Sequence, residues 1–169
     1  SRQLAPPLLD DLRAQQPQQA QWLVFALGET SFALAKLHDQ EAALAPLREA
    51  VAIAEAQLGP LHEQTLSSLG LLSNTCKRFC LYDEALRTIE LSMARTRQAL
   101  GAARPHTRLT HQERWYADAL VSAEQPADAE PIARQVVADQ RALDGEFSRR
   151  VVNAMACHAQ ALSGMGRTV

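Results

Sequence analysis

Cys76 and Cys80 stand four residues apart, one helical turn, and histidines occur at positions 62, 106, 111 and 158. Sulfur and imidazole ligands in that number are what a tetrahedral zinc site takes. The surrounding pattern speaks against it. In "TLSSLGLLSNTCKRF" the residues Leu66, Leu69, Leu72 and Cys76 recur at intervals of three and four, so Cys76 closes an apolar helical stripe and reads as a small buried hydrophobe. A catalytic histidine needs a paired carboxylate or nucleophile, and the sequence assigns none. Phosphate-loop, dinucleotide, HExxH and GxSxG signatures are missing as well. The expectation is a protein with no catalytic residues, no metal and no cofactor.

Bulk composition narrows the partners. The 169 residues are 47% hydrophobic and 21% charged, enough apolar surface for a packed core. A formal charge of -2 leaves no basic excess for a phosphate backbone or an anionic bilayer, so neither nucleic acid nor membrane is expected as a partner. The longest apolar run, "WLVFALG" from Trp22, ends at Gly28 and Glu29, far short of the roughly 20 residues that span a membrane. Three cysteines without a framework spacing imply reduced thiols and a soluble, cytoplasmic protein.

The elements that position these residues are repeated. "LGPLHEQTL" at Leu58 to Leu66 recurs as "LGAARPHTRL" at Leu100 to Leu109, and Gly59, Gly101 and Gly145 fall 42 and 44 residues apart. A period of that size marks a solenoid. Between the glycines, Leu44, Leu47, Val51, Ala54 and Leu58 share one helical face, and an offset of 42 reproduces it as Leu86, Ile89, Met93, Thr96 and Leu100. The third copy fits an offset of 43 as Ala129, Ile132, Val136, Asp139 and Leu143, although its glycine asks for 44. Each Leu-Gly stretch reads as a helix stop followed by a helix start. Glycine takes the left-handed conformation, Pro60 and Pro105 block continuation, and Thr65 or Thr107 caps the next helix. Period-two alternation is absent, so the chain is predicted to be all-α.

"TLSSLGLLSNTCKRFCLYDEALRTIELSMARTRQALG", Thr65 to Gly101, resembles the long tetratricopeptide repeat (TPR) of kinesin light chains and bacterial regulatory proteins. Leu69, Leu72, Tyr82, Glu84, Ala85 and Leu100-Gly101 match that pattern; Ser73 replaces its alanine, Cys76 its aromatic and Cys80 its loop glycine. "EAALAPLREAVAIAEAQLG" resembles the second half of such a repeat and "VVNAMACHAQALSGMGR" the first half of another. The resemblance implies an α-α superhelix of antiparallel helix pairs. It would contain a partial repeat over 1–17, repeats over about 18–59, 60–101 and 102–145, and a partial repeat over 146–169. Both ends would then cut a repeat in half, as in a segment of a longer array. Self-association through the open faces near Leu8 to Leu12 or Met155 to Met165 is expected. His158, on a leucine-type position, would be a buried core imidazole.

In that family the first helix of each pair lines a concave groove that holds a partner. Carried over, the groove residues are Phe25, Gly28, Glu29, Phe32 and Lys36; then Ser67, Gly70, Leu71, Asn74, Lys77 and Arg78; then Arg114, Trp115 and Asp118; and finally Asn153, Cys157 and Gln160. The lysine and asparagine clamp that some members use for a terminal carboxylate is not reproduced. The implied function is non-catalytic binding of a peptide or helix of a partner protein, and Lys36, Lys77, Arg78 and Arg114 among apolar positions favour an amphipathic, acidic one. The alternatives are a self-assembly module and a ligand-sensing segment of a bacterial transcription regulator or kinase.

Overall fold

The computed structural model of the chain describes residues 19–101 and 105–166. The expected partial repeat over 1–17 lies outside them. The described residues contain no strand and form seven helices: α1 Ala20–Ala35, α2 Gln40–Gln57, α3 Glu63–Arg78, α4 Tyr82–Leu100, α5 Thr107–Ser122, α6 Pro126–Asp144 and α7 Arg149–Gly164. Short connections fold them into antiparallel pairs, α1 with α2, α3 with α4 and α5 with α6, and α7 packs onto α6.

Apolar clusters run from pair to pair. Leu23, Val24 and Leu27 of α1 pack on Ala50 and Ala54 of α2. Leu44 and Leu47 of α2 meet Leu72 and Cys76 of α3 and Ala85 of α4. Farther along, Ala117 and Leu120 of α5 meet Ala129 and Ala133 of α6 and Cys157 and Ala161 of α7. The many alanines at these contacts allow close approach of the helix axes. Buried hydroxyls add a repeated hydrogen bond: Ser31 Oγ donates to Ala43 O at 2.6 Å, and 42 residues on Ser73 Oγ donates to Ala85 O at 2.7 Å. Ser73 therefore makes a bond that the family's alanine cannot.

The turns within pairs share one backbone device. His38, Cys80 and Glu124 adopt φ of 57°, 60° and 59°, and their spacings of 42 and 44 residues follow the repeat. Leu81 N–H donates to Cys76 O and Gln125 N–H to Leu120 O, both at 2.9 Å, the closing bond of a Schellman turn. Cys80 thus occupies a position that favours glycine.

Between pairs, Gly59, Gly101 and Gly145 carry φ of 96°, 71° and 78°. The expected threonine caps are replaced by histidines. His62 Nδ1 accepts from Gln64 N–H and His106 Nδ1 from Arg108 N–H, each at 3.2 Å, so each ring fills the N-cap role. Thr65 sits inside α3 and its hydroxyl donates back to Gly59 O at 2.8 Å, tying the stop to the start.

The register of the third repeat is 44 throughout. Ala85, Ile89, Ser92, Met93 and Thr96 are buried in α4, and an offset of 44 lands on Ala129, Ala133, Val136, Val137 and Gln140, all buried in α6. The offset of 43 expected from the apolar pattern is corrected. Its cause is local: Gly59 precedes its cap residue by three positions and Gly145 precedes Ser148 by three, whereas Gly101 precedes His106 by five. His158 is also less enclosed than expected, with its side chain 25% exposed and Nε2 3.2 Å from Glu130 Oε1.

Candidate functional site

Successive first helices, α1, α3, α5 and α7, pack directly on one another, while the second helices α2, α4 and α6 come much less close to each other. That difference curves the stack and makes α1, α3, α5 and α7 its inner layer. Positions 42 or 44 apart form rows across that layer: Phe25, Ser67, His111 and Asn153 in one, Glu29, Leu71, Trp115 and Cys157 in another.

Two concavities lie on these rows. The smaller, of about 320 Å³, lies between α1 and α3 and is walled by Phe25, Gly28, Glu29, Phe32 and Leu71 among others. Phe25 and Phe32 remain 58% and 54% exposed, so the described residues leave this apolar surface uncovered. Lys36 Nζ lies 4.5 Å from the centre of the Phe32 ring. The larger concavity, about 550 Å³, is bordered by α3, α5 and α7 and lies within the size range of ligand pockets. Ser67 and Leu71 line both, which joins them into one path.

The larger cavity is basic. Arg108, Arg114 and Arg150 line it together with His106 and His111, and among the described residues no carboxylate does. Arg108 is tied to Glu63 by an ion pair and a bond to its carbonyl at 3.1 Å. Arg150 lies 3.5 Å from Asp144, at the end of α6. Arg114 has no ion-pair partner among the described residues. Trp115 forms part of the wall, its ring tilted at 47° to that of His111 with centroids 4.3 Å apart and its far edge against Gly70. Burial, then the charges of Arg114 and Arg150, hold the His111 imidazole below the usual histidine range.

Of the residues expected in the groove, Phe25, Glu29, Phe32, Leu71, Arg114, Trp115 and Asn153 line this path. Lys36, Asn74, Lys77, Arg78, Asp118 and Gln160 line neither concavity. Lys77 and Asp118 form an ion pair between α3 and α5, with side chains only 20% and 27% exposed, so the Lys77 ammonium is engaged within the fold rather than open to a partner. Cys157 and Gly70 are buried rather than open to the groove. Sequence reasoning missed His111, Arg108 and Arg150; the offset of 44 applied to Ser67 identifies His111 directly.

The cysteines offer no reactive centre in the core. Cys76 is fully buried, and burial with the nearby Glu84 pushes its thiol up to about 12. Burial and Asp118 push Cys157 up to about 11. Among the described residues no three His, Cys, Asp or Glu side chains converge as metal ligands, and no helix is long and apolar enough to cross a membrane.

Neither a protein-family model nor a curated protein matches the chain. Its fold is similar to that in two crystal structures of kinesin light chain nearly identical TPR-like repeats from Podosopora anserina. One superposes with a TM-score of 0.76 at 21% identity, covering 98% of this chain and 75% of that one. The other has a TM-score of 0.68 at 20% identity, covering 96% and 84%. Repeated helix pairs, their stop-and-start turns and this structural likeness together identify a TPR-like helical-repeat fold.

Proposed function

We propose that the chain is a non-catalytic protein-interaction module whose inner face holds an extended, acidic and amphipathic peptide or helix of a partner protein. The observation that carries this reading is the single path from exposed Phe25 and Phe32 to the arginine-lined cavity, joined through Ser67 and Leu71. Aromatic surface supplies anchoring area, and Arg114 with Arg150 supplies charge complementarity for carboxylates. Lys36 and Arg78, outside both concavities at the ends of α1 and α3, add further positive charge. Free cysteines and a small net charge fit a reducing, cytoplasmic setting without nucleic acid or lipid as partner. The test is calorimetric titration with a blocked pentapeptide of sequence Glu-Leu-Glu-Phe-Glu. Saturable binding that is lost in Arg114→Glu supports the reading, and no binding, or equal binding by the variant, removes it.

Self-assembly is a second reading with its own observation. Val152 and Met155 on α7 are 62% and 47% exposed, yet they occupy the register positions of Leu66 and Leu69 in α3, which are 3% exposed each. A surface built to that pattern favours a further helix, including one from a second copy. Sedimentation of wild type against Val152→Glu with Met155→Glu distinguishes it: association in the first and a monomer in the second is the supporting result.

A further inference from the structure

His111 shares the wall of the larger cavity with two arginines whose charges act on it. Arg114 comes from its own helix and Arg150 from α7, and both bear on the imidazole. The remaining elements bring no negative charge to the lining. From α3 come Leu66, Ser67 and Leu71, from α6 Gln140, and from α7 Asn153 beside Arg150. Arg108 is held by Glu63, and His106 is committed through Nδ1 to the start of α5. Asp144, near Arg150, bonds to Gln140 and is absent from the lining. The charged groups that bear on His111 are therefore both positive and its wall is desolvating, so the neutral form is favoured.

An entering carboxylate reverses the first condition, while it shields the ring further from water. It screens Arg114 and Arg150 and places an acceptor where a second imidazole proton has somewhere to go. Trp115, its ring centre 4.3 Å from that of the imidazole, adds a cation–π contact to the charged form. We infer that capture of a carboxylate side chain in this cavity is proton-coupled at His111, the ring taking one proton from solvent as the acidic group enters. The inference rests on the groove reading above and names the regulation of that same site.

The sign follows from linkage. Binding that takes up a proton strengthens as pH falls, by about tenfold for each unit by which the bound-state pKa of His111 exceeds the free-state one. Aspartate and glutamate, with ordinary pKa values near 4, stay ionised at pH 5.5, so the ligand does not cancel the effect.

The experiment titrates the blocked pentapeptide Glu-Leu-Glu-Phe-Glu into wild type and His111→Gln by calorimetry at pH 7.5 and pH 5.5. His111 protonation is followed by NMR of the ring in the free and bound states, and circular dichroism checks that the variant is folded. Expected are a wild-type Kd about three- to tenfold tighter at pH 5.5, a nearly flat profile in His111→Gln, and a bound-state ring pKa above the free one. Wild type and variant with parallel pH profiles, or a ring pKa unmoved by peptide, overturns the proton coupling and leaves the groove reading standing. Absence of peptide binding by wild type at both pH values overturns both.

Discussion

The ring of Trp115 lies where a side chain on Gly70 would begin: a Cβ at residue 70 would stand 2.6 Å from Trp115 Cζ3. Gly70 is in the middle of α3, where alanine would otherwise favour the helix by about 1 kcal/mol. Glycine is therefore retained for contact. Gly70→Ala is expected to destabilise the wild type by about 1–3 kcal/mol through overpacking, yet to stabilise a Trp115→Ala background by up to about 1 kcal/mol. A double-mutant cycle in urea checks the reversal of sign.

Lys77 and Asp118 join α3 to α5 in a partly enclosed ion pair. Lys77→Glu sets two carboxylates together and should cost about 1–2 kcal/mol, whereas Arg78→Glu, on an exposed side chain, should stay within about 0.5 kcal/mol. Adding Asp118→Lys to Lys77→Glu should recover most of the loss. Thermal melts of the four proteins decide it, and equal melting of the two single variants contradicts the pairing.

His62 and His106 cap α3 and α5 through Nδ1. Alanine at either position should cost about 0.5–2 kcal/mol and asparagine distinctly less, because its side-chain oxygen can replace the ring nitrogen. Denaturant midpoints check this. Acid has a related effect through His111. Its folded pKa is depressed, so the stability it contributes is present above the unfolded value of 6.5 and is lost as pH falls through the folded value. In the absence of ligand, His111→Gln should lessen the loss of stability below pH 6.5.

Leu72 packs against Leu44, Leu47, Cys76 and Ala85, away from the inner path. Leu72→Ala should cost about 2–5 kcal/mol while leaving the affinity of the folded protein for a groove ligand nearly unchanged. Thiol labelling complements it. Exposed Cys80 should react promptly, and Cys76 and Cys157, buried with raised pKa values, only on unfolding.

The helical class, the period and the core stripe of α3 were legible because burial is periodic. Leu66, Leu69, Leu72 and Cys76 are all buried, as their spacing required. The third repeat was misread by one residue because Val136 is buried in either register and a two-residue extension after Gly101 looks like drift in an apolar pattern. The caps were misassigned because threonine is the commoner capping residue, and only the backbone geometry shows that His62, three residues before Thr65, and His106, directly before Thr107, hold the cap positions. Charge was hardest to read. Lys77 and Arg114 are alike in sequence, but whether a cation faces ligand or a carboxylate depends on side chains more than 40 positions away, as Asp118 does for Lys77.

The groove reading is most directly tested by an unbiased selection. A random ten-residue peptide library displayed on phage is panned against wild type and against Arg114→Glu with Arg150→Glu, with Leu91→Glu on α4 as a control outside the path. Wild type and the Leu91→Glu control should enrich the same peptides, rich in Asp and Glu beside a large apolar residue, and the doubly reversed protein should lose them. Enrichment of the same peptides by the doubly reversed protein, or of basic peptides by wild type, contradicts recognition of acidic peptides on the inner face.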